Sequence, residues 1–512
     1  MPFCREPRRS PIIRPVSSTT AAIRRTRLLR LAAAPGVAGG IALVAALLVA
    51  LIVAARFSVP LFLAFGIGLL LTLALVGYRH PRGALLAVVF TPILDRYFVT
   101  LLVPDALHGV TNYLSEALLL VVATSIGIRA WQGGRIVAAL RHPTLAIVAA
   151  FTLLAGVSAV INGVPPLIAL AGIAFTVDAV VLFVLPRTIR VDVAYARVAM
   201  LAFVAMATVA AVLALGQVHL HADLLGMASV TGAFSEGRRV AAFLVNPNML
   251  GVILAMAIPL PLLAIVRADQ GRQRVVAGIT TFVLTLALLY TFSRGAWLGL
   301  GAAVVVIGLL VDRRAMLAML LLAVVAYGTA VVVPRHVLQA EPSDSGFDLG
   351  AATIGRMDAL GDGTDMRVQY AANGLPIILD HPVLGAGPGR YGGAVAWRFG
   401  SPLYDRYTDG AVPRDRTVDN FWLHLTAESG ILGALLFAAA VAAAVGGALA
   451  AARRLDGWPR ILAAGAAAIG IVVGVDSLTE MLLEGNTTAF AAWFFLGVAS
   501  VLTAGAVAGE AQ

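Results

Sequence analysis

Residues 286–306 read LALLYTFSRGAWLGLGAAVVV, an apolar run long enough to cross a bilayer except that Ser293, Arg294 and Gly295 interrupt it near the middle. A guanidinium at the centre of a lipid-facing helix costs about 3 kcal/mol even on the gentlest insertion scale. A single helix with an embedded arginine and two helices joined by a turn at Arg294 are different folds. The rest of the chain decides between them.

The 512 residues are 60% hydrophobic and 12% charged, with a mean hydropathy of +0.92. Soluble domains do not have this composition, so the chain is read as an integral membrane protein. Its 37 basic residues are all arginine, so the choice of arginine over lysine at any one site carries no information. The net charge of +10 does not point to nucleic acid; in a membrane protein the position of each arginine between spans is what matters. Cys4 is the only cysteine, which rules out an internal disulfide.

About fourteen apolar runs, from 37–55 to 487–506, approach the length a bilayer requires. The third, 84–103, is the weakest because Asp95 and Arg96 fall inside it. An arginine-rich start (Arg5, Arg8, Arg9, Arg14) and basic connections at 79–82, 129–141, 187–197, 267–274, 313–314 and 453–460 all fall on one side, which the positive-inside rule assigns to the cytoplasm. The expectation is an all-α polytopic bundle with both termini cytoplasmic. A basic tail spans 1–36, helices 1–11 lie within 37–333, a long extracytoplasmic loop covers 334–429, helices 12–14 lie within 430–506 and a short tail covers 507–512. The first run is read as an uncleaved anchor, being too long for a signal-peptide core. In this topology the ninth run ends at Phe292 and the tenth begins at Ala296, so Arg294 occupies an outward turn. There it either snorkels to water, caps the hairpin or has a partner.

Two other outward segments carry concentrated polar chemistry. In TGAFSEGRRVAAFLVNPNMLG (231–251), Arg238 and Arg239 precede an Asn-Pro-Asn triplet that opens the eighth span. Capping explains Asn246 and Pro247 but not paired arginines on the side where arginine is scarce. The long loop contains DMRVQYAANGLPIILDHPVLGAGPGRYGG (365–393) and RDRTVDNFWLHLTAESGILG (414–433). Gly385, Gly387 and Gly389 lack a preceding strand and read as a tight turn after an amphipathic stretch at 367–380, not as a nucleotide fingerprint. In VDSLTEMLLEG (475–485), Asp476, Glu480 and Glu484 recur every four residues, which predicts three carboxylates along one helix face. Acids at this depth pair with cations or handle substrate, and structural ion pairing with the arginines is the favoured reading, with Asp476 and Glu480 most in need of partners. No His/Asp cluster has metal-ligand spacing, and no cofactor is expected.

The order RRVAAFLVNPNMLG, SRGAWLGL, then a long outward loop with DHPVLGAGPGRY and DNFWLHLTAESGILG resembles the O-antigen ligase and polymerase superfamily over about 235–445, with an echo in NTTAFAAWFFLGVAS. Such proteins are polytopic, metal-independent glycosyltransferases of the bacterial cytoplasmic membrane. They take glycan from a polyprenyl (undecaprenyl) diphosphate carrier at the outer face and join it to a glycan or lipid acceptor. The resemblance implies diphosphate binding by Arg239 and Arg294, with Arg238 as the alternative to its neighbour and Arg367 as a third candidate; planar guanidinium groups suit phosphate oxygens. Ligases of the family carry His-Asn at the end of the loop, where this chain has Asp419 and Asn420. Either Asp419 is the base that deprotonates the acceptor, or the role falls to His424 or Glu428, and the departure favours a polymerase or exopolysaccharide-assembly relative. The competing classes are a transporter or flippase of lipid-linked glycan, for which the chain shows no internal repeat, and a non-catalytic envelope-assembly component.

Overall fold

The computed structural model describes residues 59–102, 113–220, 239–244, 246–267, 270–332 and 366–510, and every regular element among them is helical. The tail 1–36, the first apolar run, Arg238, the stretch 333–365 of the long loop and the final residues 511–512 lie outside the described residues. The first part of α1 (Val59–Arg79), up to Thr72, belongs to a first unit, where the Thr72 hydroxyl donates to Gly68 O at 2.8 Å. The second unit begins at Leu73 and carries everything described below.

Helices α2 (Pro81–Leu102), α3 (Leu114–Gln132), α4 (Ile136–Leu140) and α5 (Pro143–Ile161) follow. The α2 backbone stays helical through Asp95 and Arg96, so those charges do not break the third run. Next, α6 (Pro166–Val177) continues through a 3-10 turn into α7 (Val181–Ile189), and α8 (Val193–Leu220) is long and continuous. The run at 245–266 divides into α9 (Pro247–Ala257) and α10 (Pro259–Arg267), because Pro259 has no N–H to continue the ladder. Then come α11 (Gly271–Thr291), α12 (Arg294–Leu310) and α13 (Arg313–Val332). The loop contributes α14 (Met366–Asp380), α15 (Ala394–Phe399) and α16 (Pro402–Thr408), and the chain ends with α17 (Phe421–Arg454), α18 (Gly457–Asp476) and α19 (Asn486–Glu510). Among the described residues nine helical stretches are long and apolar enough to cross a membrane, with α12 a shorter apolar helix. With this composition the chain is a multi-pass membrane protein.

The stretch at 286–306 is two helices, as the interruption at Arg294 predicts. Phe292 closes α11 in the left-handed region (φ 52°), and Ser293 caps α12 in extended backbone. Small residues set the packing, as expected where lipid supplies no hydrophobic drive between helices. A Cβ at Gly299 of α12 would lie 2.8 Å from Val472 O of α18, and one at Gly470 would lie 2.7 Å from the Val445 side chain of α17. An aromatic chain crosses the interior, with Phe437 against Phe151 (5.2 Å between ring centres) and against Trp493 (6.4 Å). Gly430 takes φ 68° and ψ 178° inside α17, so the helix kinks there. The segment Ile431–Arg454 alone rises about 36 Å, enough to cross a core of ~30 Å. Residue 430, where the sequence reading begins a span, coincides with this kink, and Phe421–Ser429 is the helical segment that precedes it.

Candidate active site

The turn between α11 and α12 is tightly specified. Thr291 Oγ1 donates to Leu288 O (2.7 Å) and accepts from Ser293 N (3.2 Å), and the Trp297 indole N–H also reaches Leu288 O at 3.2 Å. Gly251 of α9 leaves room for the turn, since a Cβ there would come within 2.6 Å of Ser293 Cβ. Arg294 is the first residue of α12 and is half-buried. Its neighbour Gly295 lies directly against the Asp476 carboxylate and the Thr479 hydroxyl, where a Cβ would overlap both. The Ser-Arg-Gly motif thus seats Arg294 at the C-terminal end of α18.

Arg239 arrives from another part of the chain. Its segment runs beside the end of α11, with Val240 N donating to Tyr290 O (3.5 Å) and Arg239 Nε donating to Thr291 O (2.8 Å). That bond sets Arg239 within three residues of Arg294. Nη2 of Arg239 donates to Asn248 Oδ1, and Asn248 Nδ2 donates to Glu480 Oε1 at 2.5 Å. The amide orientation of Asn248 follows from the chemistry. Reversed, it would set NH2 against a guanidinium and a carbonyl oxygen against a carboxylate. Asn246 caps α9 as expected, accepting from Asn248 N at 2.7 Å, with Pro247 at the first helical position. The second asparagine of the triplet is the residue that sequence reasoning missed, because capping accounts for the first.

The three acids of 475–485 do not share a helix face. The helix α18 ends at Asp476, and Ser477–Gly485 are turns. The ladder stops because the carbonyls beyond it are taken elsewhere: Phe421 N donates to Ser477 O (3.0 Å) and Glu480 O (3.3 Å), while Asp476 O accepts from Thr479 N (2.8 Å). Each acid consequently has its own surroundings. Asp476 is fully buried against Gly295 and accepts from Thr479 Oγ1 at 2.8 Å, Glu480 binds Asn248, and Glu484 Oε1 accepts from Ala394 N at 2.9 Å. The docking of Phe421 also places Asp419, two residues earlier and half-buried, beside the Ser477–Glu480 turn. Asn420 caps α17, accepting from Leu423 N at 2.9 Å.

His424 and Glu428 face a different task. Both are 2% exposed. The Glu428 carboxylate accepts from Gly389 N through Oε2 and from Tyr391 N through Oε1, each at 2.7 Å, and its backbone carbonyl accepts from Gly387 N at 2.9 Å. His424 Nδ1 donates to Tyr391 O, and Nε2 lies 3.5 Å from Glu484 Oε2. The glycine turn is closed at its other face by Gly389 (φ 78°), whose Cβ, if present, would meet Ile168 O of α6 at 2.8 Å. A tyrosine core supports it. Tyr391 OH donates to Tyr370 O (2.9 Å), and Tyr404 OH donates to Arg416 O (2.7 Å) while accepting from Gly392 N (3.0 Å). Burial raises both phenols above their ordinary range. Burial, followed by the nearby Arg406, lowers the Arg390 guanidinium, which donates to Ala386 O at 3.3 Å.

The structure therefore brings Arg239, Arg294, Asp476 and Glu480 to one end of the bundle, with Asp419 two residues from the docked Phe421, while the side chains of His424, Glu428 and Glu484 bind backbone groups of the loop. Arg367 is the second residue of α14, and its side chain is outside the described residues. Among the described residues no group of three His, Cys, Asp or Glu side chains is arranged to hold a metal ion.

Residues 279–438 match the family model described as O-antigen ligase. No curated protein matches the chain. The matched region contains Arg294, Asp419, His424 and Glu428, whereas Arg239, Asn248, Asp476 and Glu480 lie outside it.

Proposed function

We propose that the chain, whose residues 279–438 match the family described as O-antigen ligase, is a glycosyltransferase acting on polyprenyl diphosphate-linked glycan at the extracytoplasmic face of the bacterial cytoplasmic membrane. The observation that carries the reading is the bond from Arg239 Nε to Thr291 O, which gathers two arginines from separate segments at one turn. Two guanidinium groups at the lipid headgroup level suit a diphosphate leaving group, and the N-terminus of α12 favours an anion at the same place.

In this mechanism an acceptor hydroxyl attacks the anomeric carbon of the donor sugar while the bond from that carbon to the diphosphate oxygen breaks. The electron pair leaves with the diphosphate, whose charge Arg239 and Arg294 stabilise. The acceptor's proton goes to Asp419. Of the three candidate bases, Asp419 is two residues before Phe421, whose N–H is bonded to the Ser477–Glu480 turn; both oxygens of Glu428 are occupied by backbone amides, and His424 is held between Tyr391 and Glu484. Single displacement inverts the anomeric configuration. Asp419 in the place where ligases of the family carry histidine favours polymerase-type assembly.

The test is a deletion strain complemented with wild type, Arg239→Ala or Arg294→Ala, with envelope and carrier-linked glycans resolved on gels. Single repeat units without a ladder support a polymerase, and long chains stranded on the carrier support a ligase. Wild-type glycan patterns from both normally expressed variants would overturn the reading and return the transporter and scaffold classes to the front.

A further inference from the structure

Helix α14 has two apolar faces, and among the described residues only one of them is covered by protein. At about 100° per residue, Tyr370, Gly374 and Ile377 form one stripe, all buried in the loop core. On the opposite side Val368, Ala372, Leu375 and Leu379 form a second stripe, continued by Val383. Leu375 is 53% exposed, Leu379 68% and Val383 60%. Gln369, Asn373 and Asp380 line a narrow polar edge between them, where Asp380 accepts from the Tyr407 hydroxyl at 2.8 Å. A helix that is apolar on opposite faces is matched to two apolar neighbours.

Hydrogen bonds fix the height of this helix relative to the spans. The 19 residues of α5 rise about 28 Å, so its end at Ile161 reaches the edge of a bilayer core of ~30 Å. Ser158, one turn before that end, donates to Leu384 O at 2.6 Å, and Asn162 donates to Gly385 O at 3.0 Å. The chain just beyond α14 is therefore level with the last turn of a membrane span. Phe421 is bonded to Ser477 at the corresponding end of α18. The segment Phe421–Ser429 thus joins two points at the same edge of the membrane and runs along it until Gly430 turns the chain inward. α14 lies beside this segment in the same direction: a Cβ at Gly374 would meet Leu423 Cδ1 at 3.2 Å, and Pro382 O accepts from Ile431 N at 2.8 Å. That last bond joins the exposed stripe to Ile431 and Leu435, which are 50% and 61% exposed on the lipid-facing flank of the α17 span.

We propose that α14 is an interfacial helix, its Val368–Leu379 stripe embedded in the lipid of the leaflet at the arginine-cluster end of the bundle. The occupant is bulk membrane lipid, because the stripe is continuous with a surface that lipid already covers and carries its polar residues on one edge, as a helix lying in the interface does. The inference is independent of the glycosyltransferase reading.

The test uses the full chain in vesicles of phosphatidylcholine and phosphatidylglycerol. Cys4→Ser removes the only native thiol, and Leu375→Cys, Leu379→Cys, Gln369→Cys and Asp415→Cys are introduced singly and labelled with a bimane. Labels at 375 and 379 are expected to be quenched several-fold more by acyl-brominated lipid than labels at 369 and 415, with the order reversed for aqueous iodide. Iodide quenching at 375 and 379 equal to that at 415 would overturn the proposal, as would protection from both quenchers, which would mean a protein partner. A second measurement needs no substitution: lipid with an acyl-chain diazirine, cross-linked to the wild-type protein, should mark peptides within 368–383, and their absence among marked span peptides counts against the proposal.

Discussion

Replacing Asn248 tests whether Arg239 is held in position by its neighbours. In Asn248→Ala both bonds of the bridge disappear, one to a guanidinium and one to the 7%-exposed Glu480 carboxylate. Bonds to charged groups are worth about 1.5–3 kcal/mol each. Water entering beside the half-buried Arg239 restores part of this, which leaves a net stability loss of about 2 kcal/mol. The larger effect falls on turnover, because a guanidinium released from its acceptor no longer meets the developing charge. A loss of about 100-fold in kcat/KM, or about 2.7 kcal/mol, is expected for one misplaced electrostatic donor. Glu480→Gln keeps an acceptor oxygen for Asn248 and should retain most activity. Glu480→Ala should resemble Asn248→Ala, and the double variant should be little worse than either single one. The assay is transfer from lipid-linked glycan in proteoliposomes, with thermal unfolding in detergent run in parallel. Wild-type turnover by a folded Asn248→Ala protein would refute the positioning argument. Equal inactivity of Glu480→Gln and Glu480→Ala would assign the role to the charge of Glu480 instead.

Asp419→Asn should abolish transfer while leaving the melting temperature unchanged. Glu428→Ala should instead unfold the loop, because it strands two buried backbone donors at about 1–3 kcal/mol each, which hydrogen exchange at 385–392 would detect. Gly295→Ala drives a Cβ into Asp476 and Thr479 and should cost about 1–3 kcal/mol as an overpacking change; Gly301→Ala, with nothing within 4 Å on the same helix, serves as the tolerant control in the same melting assay. His142, at the opposite end of α5, supplies a pH signature. Burial, and then the charge of Arg187, lower it from 6.5 to about 4. The folded state holds it neutral with Nδ1 accepting from Thr144 N (3.3 Å), so the unfolded chain binds more protons between these values. Stability should be full above pH 6.5 and fall as pH drops toward 4, and His142→Asn, a competent cap, should flatten that slope in pH-dependent melting.

The fold class was legible because span-length apolar runs have few alternatives, and the break at Arg294 could be read from the cost of embedding its charge. Pairing Arg239 with Arg294 could not be derived from spacing, since 54 residues separate them; the resemblance supplied it, and the Arg239–Thr291 bond gives it a geometry. The four-residue recurrence of Asp476, Glu480 and Glu484 misled because periodicity predicts a common face only while the helix lasts. Here the backbone carbonyls after Asp476 serve another segment, a tertiary fact with no local signal. Asn248 was hidden behind a sufficient local explanation, the Asn-Pro cap. Glu428 suited a helix start by charge alone, and only its two backbone donors reveal that it fastens a turn.

The division of the acids has a consequence for how the site is built. The arginine cluster draws on the α8–α9 connection, the α11–α12 turn, the residues after α18 and the end of the long loop. None of these holds its shape alone. The loop end is anchored by Phe421 on Ser477 and Glu480, and Glu480 in turn holds Asn248 and, through it, Arg239. Behind this contact the loop is clamped a second time, by Glu428 on the glycine turn and by Glu484 on Ala394. Glu480 and Glu484 lie on one short turn after α18, so a displacement of that turn moves the arginine side and the loop side together. The matched O-antigen ligase segment ends before this turn and begins after Arg239. A protein reduced to 279–438 would keep Arg294 and Asp419 while losing the groups that bring them together. Substitutions in 476–485 that remove a contact, such as Glu480→Ala, should consequently impair transfer as severely as substitutions of the arginines, although no residue there is placed on the reacting atoms.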